Sequence, residues 1–405
     1  MEEWDGQVPR PATWWVKAGV AVARFGDALT TGADLVNAAE RAVLQALERM
    51  DGPADLVCFF VSGVDPEEVT LAGERVMELS GSAITLGCSA TGVLGDGRGV
   101  EGQGAVSVWG ANLPGVELTP FRLDTVVEDG NLAVVGMREP GPADRAGILL
   151  TNPYEFPTQG FVRETTAALG GLPLIGGMAD GLRGEGSVRL FCDGEVAQNG
   201  AIGVLIGGEG VLGTVVSQGC RPVGPHMTVT KAEGNLLLEL AGENAYEKLE
   251  RLVEELSDED RELAEQGLHV GVAIDEYADQ HEQGDFLVRS LVGADPEIGA
   301  LTIQDMVEVG QTVRFQVRDA STADEDLARR LTEFGAAHAV GAGLLFSCNG
   351  RGANLFSRPD HDVLAVQRIL GTAPVAGFFA AGEIGPVSGV NHVHGFTACL
   401  LAFAP

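Results

Sequence analysis

Short, nearly continuous apolar runs alternate along the chain with longer stretches of helical period. This is the pattern of strands buried on both faces, joined by helices that pack on a sheet. The runs at residues 55–61, 147–151 and 343–347 each precede a helical stretch, which leads to a second, shorter run: ITL at 84–86, PLI at 173–175 and PVA at 374–376. A further apolar run follows each, at 105–109, 201–206 and 396–403. Between these last two runs lies a glycine-dense turn, and the three turns share the spacing GxxAxGxxG. The residues are Gly87, Ala90, Gly92 and Gly95, then Gly176, Ala179, Gly181 and Gly184, then Gly377, Ala380, Gly382 and Gly385. The repeating module therefore reads strand, helix, strand, glycine turn, strand.

Residues 20–25 (VAVARF) match residues 313–318 (VRFQVR), and each run precedes an Ala/Leu-rich amphipathic helix, which predicts a duplication. A weaker echo links 188–191 and 200–202 to 288–291 and 299–301 as a fourth copy. On this basis residues 15–215 form one α/β half and residues 216–405 a related second half, with no Pro/Ser linker between them. Residues 239–266, rich in Glu and Leu, predict one solvated amphipathic helix. Strands joined by both helices and tight turns predict mixed β-sheets with helices against one face, rather than a doubly wound parallel sheet.

Composition narrows the function classes. The chain has 405 residues, 45% of them hydrophobic and 21% charged, enough for more than one core. Its net charge of −32 gives no field to attract a phosphate backbone or an anionic bilayer, so no nucleic-acid or membrane partner is expected. Six cysteines without a CxxC pair predict reduced thiols in a cytoplasmic protein, not a disulfide framework or a zinc knuckle. The N-terminus lacks the pattern of a signal peptide, and no apolar run approaches the ~20 residues of a membrane span.

The candidate chemistry lies near the C-terminus. A glycine turn after a buried strand can aim backbone N–H groups at an anion, or can simply let strands pack closely. The turn of Gly377 and Gly382 also carries Glu383, and Asn391, His392 and His394 follow at once. In a strand the two histidines face one way and Asn391 the other. A histidine pair with no third ligand in sequence predicts no metal site, and no cofactor motif is present. The run 344–348 leads into Cys348, Asn349, Gly350, Arg351 and Gly352, and ligands in α/β proteins gather at such strand ends. Arg351 can grip a carboxylate in bidentate fashion or pair with one of the chain's own acids. Cys348 can line a pocket, pack inertly, or act as a nucleophile with His392 or His394 as base. Asn152, Tyr154 and Asp180 occupy the equivalent positions of the second copy, which predicts a related, thiol-free pocket there. Asp360, His361 and Asp362 open a helix, where an Asp serves as N-cap.

The blocks GCSATGVLGDGRGVEGQGAVSVWGANLPG, SQGCRPVGPHMTVT, FLVRSLVGADPEIGALTIQDMVEVGQTVRFQVRDA, FSCNGRGANLF and GFFAAGEIGPVSGVNHVHGFTACLLAF resemble the FIST domain in both its N- and C-terminal parts. The resemblance covers the chain from about Trp15 to its end. It implies a sensory module that binds small ligands such as amino acids in signal transduction, and in eukaryotic relatives a domain that follows an F-box and recruits substrates. Its motif positions are Cys348, Gly350, Arg351 and Gly352 in one block, and Gly377, Gly382, Glu383 and Gly385 in the other. The expectation is a stand-alone receptor in which Arg351 and turn amides hold a carboxylate while Glu383 or Asn391 holds an amine, with a downstream signalling protein as partner. Two rivals stay open, a Cys348-dependent acyl or amide enzyme and a protein-interaction scaffold.

Overall fold

The computed structural model describes residues 22–128, 130–181, 188–276, 278, 281 and 283–405. The first module runs β1 (Arg24–Thr31), α1 (Leu35–Met50), β2 (Leu56–Ser62), α2 (Pro66–Ser80), β3 (Ile84–Ala90), β4 (Gly92–Gly95), β5 (Arg98–Glu101) and β6 (Ala105–Asn112). The second runs β7 (Glu117–Glu128), β8 (Asn131–Val135), β9 (Asp144–Thr151), α3 (Thr158–Ala168), β10 (Leu174–Met178), β11 (Leu190–Cys192), β12 (Glu195–Ala197) and β13 (Ala201–Gly207). The third opens with β14 (Val211–Gln218) and is interrupted by an insert. The insert holds β15 (Cys220–Glu233), β16 (Leu236–Leu240), β17 (Glu243–Asn244), α4 (Ala245–Glu255), α5 (Asp258–Gln266), β18 (Leu268–Ala273), β19 (Phe286–Asp295), β20 (Ala300–Ile303) and β21 (Thr312–Arg318). The third module then resumes with α6 (Ala320–Ala337), β22 (Ala342–Cys348), α7 (Gly352–Phe356), α8 (His361–Leu370), β23 (Val375–Ala380), β24 (Glu383–Val387), β25 (Val390–His394) and β26 (Thr397–Phe403).

Local chemistry starts the helices. The Asp34 side chain accepts from the Asn37 amide, Asp65 from Glu67 just before Pro66, and Asp319 from Ser321 and Thr322. Each satisfies amide groups that the first helical turn leaves without partners.

The three glycine turns send the following hairpin not back to its own sheet but to a neighbour's. The sheets are ordered β1-β6-β2-β3-β11-β12, then β8-β7-β13-β9-β10-β24-β25, then β14-β26-β22-β23-β4-β5. The first and third modules supply four strands to their own sheets and the second supplies five, in each case including one parallel pair: β2 with β3, β9 with β10, β22 with β23. The hairpin of the first module extends the third sheet, that of the third extends the second, and that of the second extends the first. Each donated hairpin covers an edge that would otherwise expose unpaired N–H and C=O groups. The exchange closes a ring.

The inner faces of these three sheets share one core. Leu56, Cys58 and Phe60 of β2, Ile148 and Leu150 of β9, and Leu344 and Phe346 of β22 meet there. The alternate residues face outward under helices: Val57, Phe59 and Val61 beneath α1 and α2, Leu149 beneath α3, Leu345 beneath α6 and α8. Burial on both faces explains the continuous apolar runs. The mixed α/β architecture with helices on one face of each sheet is the one the pattern predicts.

The first glycine of each turn motif is there for packing. A Cβ on Gly87 would lie 2.5 Å from the Phe59 carbonyl oxygen, on Gly176 1.9 Å from that of Leu149, and on Gly377 1.6 Å from that of Leu345. In each case the clash is with the backbone of the parallel partner strand. Gly377→Ala is therefore expected to cost about 3 kcal/mol or more, read as a lowered midpoint in urea unfolding. Gly160→Ala, where an added Cβ meets nothing within 4 Å, is the contrasting control.

Several details differ from expectation. The strand matched to 313–318 is not repeated in kind, because Thr312–Arg318 lies in the insert's sheet, and β14, paired with β26 as β1 is with β6, holds the equivalent place. The 188–202 echo is likewise confined to sequence, since Phe286–Asp295 and Ala300–Ile303 are antiparallel neighbours in the insert. Residues 239–266 form not one helix but a strand end, a two-residue bridge and two helices. Ser257 caps the second of them through the Asp260 amide. The expected division at 215/216 falls within β14. Gly184 lies outside the described residues.

The insert has its own core around Val270, Phe315, Leu237 and Leu301. Its contacts with the third module include the Gly219 amide donating to the Phe396 carbonyl at 2.9 Å, Arg289 Nη1 donating to the Val393 carbonyl at 3.1 Å and Gln218 Nε2 donating to the Phe286 carbonyl at 2.8 Å. Among the described residues, no helix is long and apolar enough to cross a membrane.

Candidate functional site

The parallel pairs β9/β10 and β22/β23 run out at Thr151, Met178, Cys348 and Ala380, and the segments leaving them line a cavity of about 690 Å³ roofed by the insert. After β9 come Tyr154, Phe156 and Thr158. From the third module come Cys348, Asn349, Gly382, His394 and Phe396, and from the insert Arg289, Ser290 and Gln304. Among these lining residues Arg289 is the one cation, and no acid is present. Arg289 is itself anchored, with Nε donating to Asp305 at 2.6 Å. Phe396 adopts φ +62, a left-handed backbone that costs a bulky residue energy, and packs at a tilt against His269 of the insert with the Arg318 guanidinium 5.8 Å from its ring centre.

Behind the cavity floor stands a wholly buried polar cluster. Cys348, at the end of β22, accepts from the Gly350 amide at 3.4 Å and from the Phe396 amide. Glu383 opens β24, where the exchanged hairpin meets β10 opposite Gly177. Its Oε2 accepts from the Thr397 amide at 3.0 Å and from the Thr397 hydroxyl at 2.6 Å. Its Oε1 is buried without a hydrogen-bond partner, while the Cys348 thiol donates to Asn349 Oδ1 at 3.9 Å. Burial pushes the Glu383 carboxyl up to about 8 against the opposing pull of Thr397, Cys348 and Arg351. Burial, reinforced by Glu383, also pushes the Cys348 thiol well above its ordinary range. The resting pair at neutral pH is thiol and carboxylic acid.

Arg351 is not free to hold a ligand. It is 0% exposed, and its Nε and Nη2 donate to Asp362 at 2.7 and 2.8 Å. The internal ion pair, rather than the carboxylate grip, is what the structure contains. Nη1 alone lacks a partner. Asp362 is correspondingly not an N-cap. It also accepts from the Ser347 hydroxyl at 2.6 Å and pairs with His361 at 2.9 Å, whose other nitrogen meets Asp324 at 3.0 Å. Burial would raise the Asp362 carboxyl, but the Arg351 charge and its hydrogen bonds outweigh burial and hold it well below the usual range. Asp360 holds the cap position and makes no side-chain cap bond.

The predicted alternation in β25 is present, and it separates the residues it was meant to unite. Glu383 lies opposite His394 and Gly385 opposite His392, so these share one face, while Asn391 points to the other. There the Asn391 side chain accepts from the Leu174 amide at 2.9 Å and donates to the Leu172 carbonyl at 2.8 Å, fastening the hairpin to β10. Asn391 does not reach the cavity. His394 does, with Nε2 donating to the Gly385 carbonyl at 3.0 Å, which leaves Nδ1 as the acceptor nitrogen. Burial drops His394 to about 3 and His392 to about 4, so both rings are neutral at pH 7. Of the other predicted residues, Asn349 and Gly382 line the cavity, Gly350 packs against Phe396, and Gly377 is internal to the sheet. Residues not anticipated are Arg289, Phe396, Thr397 and the Asp362 partnership. Only the full burial of an arginine signals the last, and burial is not visible in a sequence.

A second cavity, of about 800 Å³, lies across the rim formed by Tyr154 and Asn349. The ends of β2 and β3 reach it through Ser62 and Thr91, and it is acidic, lined by Glu101 and Asp180. Asn349 Nδ2 donates to Asp180 at 3.3 Å. The Asn152 side chain is spent on its own loop, accepting from the Tyr154 amide and donating to the Gln198 carbonyl.

Comparison with known proteins gives the same assignment as the motifs. The FIST N domain matches residues 55–243 and the FIST C domain residues 245–386. The seam between these matches falls at Asn244, the last residue of β17, inside the insert. The uncharacterized protein Rv0628c of Mycobacterium tuberculosis (strain ATCC 25618 / H37Rv) is 40% identical over 385 residues, covering 94% of this chain and 99% of its own. The uncharacterized protein Mb0898c of Mycobacterium bovis is 39% identical over 387 residues, covering 94% and 98%. FIST domains are in general sensory domains of signal transduction. With both parts of that domain present over most of its length, the chain belongs to the FIST family.

Proposed function

We propose that this chain is a sensory protein whose ligand, a small carboxylate such as an amino acid, binds in the cavity between the core and the insert. The observation that carries the reading is the composition of that cavity. In a chain of net charge −32, its lining has one cation, Arg289, and no acid. The global charge repels an anion at a distance, but screening over about 8 Å leaves the local lining to decide binding. A carboxylate directed at Arg289 and an ammonium directed across the Asn349 rim toward Asp180 would match the polarity of the two cavities. Arg351 and Glu383 support this site from behind without touching the ligand.

The insert supplies a means of readout. Its Arg289, Ser290 and Gln304 form one wall and the core modules the other, so a ligand bridging them has different affinity for closed and open arrangements. A thermal-shift screen of amino acids and small organic acids tests the reading. A ligand at about 100 times its Kd stabilises by roughly 2.7 kcal/mol, raising the midpoint by several degrees. Asn349→Ala is expected to weaken that shift. A panel with no shift would instead favour the scaffold reading, in which a partner protein and not a metabolite is bound.

A further inference from the structure

We propose that the ligand of the cavity is an aromatic 2-hydroxy acid, whose carboxylate meets Arg289 and whose hydroxyl donates to His394. The proposal rests on the reading of that cavity as a carboxylate site and narrows it from amino acids to hydroxy acids. Two lining residues carry it, one with a donor and one with an acceptor that the protein itself leaves unmatched.

The donor is on Arg289. Its Nε donates to Asp305 at 2.6 Å, and its Nη1 to the carbonyls of Val288 at 3.2 Å and Val393 at 3.1 Å. Among the described residues Nη2 has no acceptor. The three bonds fix the plane of the guanidinium, so little freedom remains to be lost when a carboxylate docks on it. Asp305 orients the group without lining the cavity, and so does not stand where the ligand would.

The acceptor is on His394, 3% exposed and the residue directly after Val393. Its Nε2 lies 3.0 Å from the Gly385 carbonyl, and a carbonyl can only accept, so the ring carries its proton on Nε2 and a lone pair on Nδ1. Among the described residues nothing donates to Nδ1. Burial, with the charge of Arg289 close by, keeps the ring neutral and the lone pair available at pH 7. Because Nη1 of Arg289 is bonded to the carbonyl that precedes His394, guanidinium and imidazole are neighbours. A ligand that satisfies both must carry its acceptor oxygens and its donated hydrogen on adjacent carbons, as 2-hydroxy and 2-amino acids do. Charge separates these two classes. An ammonium would bring a second cation beside Arg289 where no acid lines the cavity, whereas a hydroxyl donates its hydrogen without a charge. An acid with no 2-substituent leaves the Nδ1 lone pair unmet.

The remaining lining sets the body of the ligand. Phe156, Phe396 and Val288 present apolar surface, and about 690 Å³ gives room for a ring beyond the polar corner.

The test is calorimetric titration of the full chain with 3-phenyllactate, phenylalanine and hydrocinnamate, which share a phenyl ring and a carboxylate and differ at the 2-position. Phenyllactate is expected to bind about tenfold more tightly than hydrocinnamate, and more tightly than phenylalanine. His394→Gln, whose amide can take over the bond to the Gly385 carbonyl but sets no acceptor at the place of Nδ1, should bind phenyllactate and hydrocinnamate alike. His394→Asn, which keeps an acceptor oxygen near that place, should restore part of the preference. Equal wild-type affinity for phenyllactate and hydrocinnamate, tighter binding of phenylalanine, or a preference that survives in His394→Gln would overturn the proposal. If carboxylates bind without regard to the hydroxyl, the hydroxy-acid assignment fails and the ligand site stands. If no carboxylate binds, here or in the thermal screen, both fail.

Discussion

Asp362→Ala is expected to destabilise the protein by on the order of 3–5 kcal/mol at pH 7, read as a lowered midpoint in urea. The mutation leaves the Arg351 guanidinium wholly buried, with the Nε and Nη2 bonds to Asp362 gone and Nη1 already without a partner. It also strips the Ser347 hydroxyl and His361 of their shared acceptor. The loss comes mainly from stranding a buried charge, so removing both partners should cost much less than removing one. Arg351→Met combined with Asp362→Leu should recover a large part of the stability. If the double variant were as unstable as Asp362→Ala alone, the cluster would owe its effect to shape rather than charge. The pH dependence has a definite sign. The Asp362 carboxyl sits below its unfolded value of 3.8, so its contribution is present above that value and is lost as the pH falls toward the folded-state range.

Glu383→Gln is expected to act in the opposite direction. The Glu383 carboxyl rises from 4.5 to about 8 on folding, so the folded state holds a proton that the unfolded state releases between those values. Stability is fully present below pH 4.5 and declines as the pH climbs through the folded-state value. At pH 7 the penalty is on the order of 3 kcal/mol, and glutamine avoids it while still offering Thr397 an acceptor oxygen. Melting curves of wild type and variant should therefore coincide near pH 4 and separate as the pH rises toward 8. A constant difference across that range would show that the carboxyl does not titrate in the fold.

Much of the fold was legible because it is written locally. The runs around Phe60, Ile148 and Phe346 are apolar at every position since both faces of their strands are covered, and the glycine turns recur because each passes a hairpin to the next sheet. What the turns do was not legible. A Gly377 needed to clear the Leu345 carbonyl and a Gly377 needed to cradle an anion look the same in sequence. The hairpin exchange was equally invisible, since nothing in residues 383–394 says that they pair with β10 rather than with β23.

The site shows the same division. The loop of Cys348 and the turn of Glu383 were expected to face one another, and the structure brings them together. Their roles shifted because burial decides them. Arg351 points inward to Asp362, Asn391 points outward to Leu172 and Leu174, and the cavity's cation is Arg289, from an insert whose docking depends on tertiary contacts such as that with Val393. Periodicity placed Asn391 correctly on the face opposite His394. It could not say which face holds the cavity.

A small carboxylate, on the reading proposed above, occupies the cavity beneath the insert. Calorimetric titration of the strongest carboxylate from the thermal screen, into wild type and into Gly160→Phe, tests it most directly. Gly160 lines the cavity and has free space around it, so a phenyl ring there should fill the ligand's volume without disturbing the fold. One binding site is expected in wild type, and loss of binding in a variant that melts no lower. Equal affinity for both proteins would place the ligand elsewhere and contradict it.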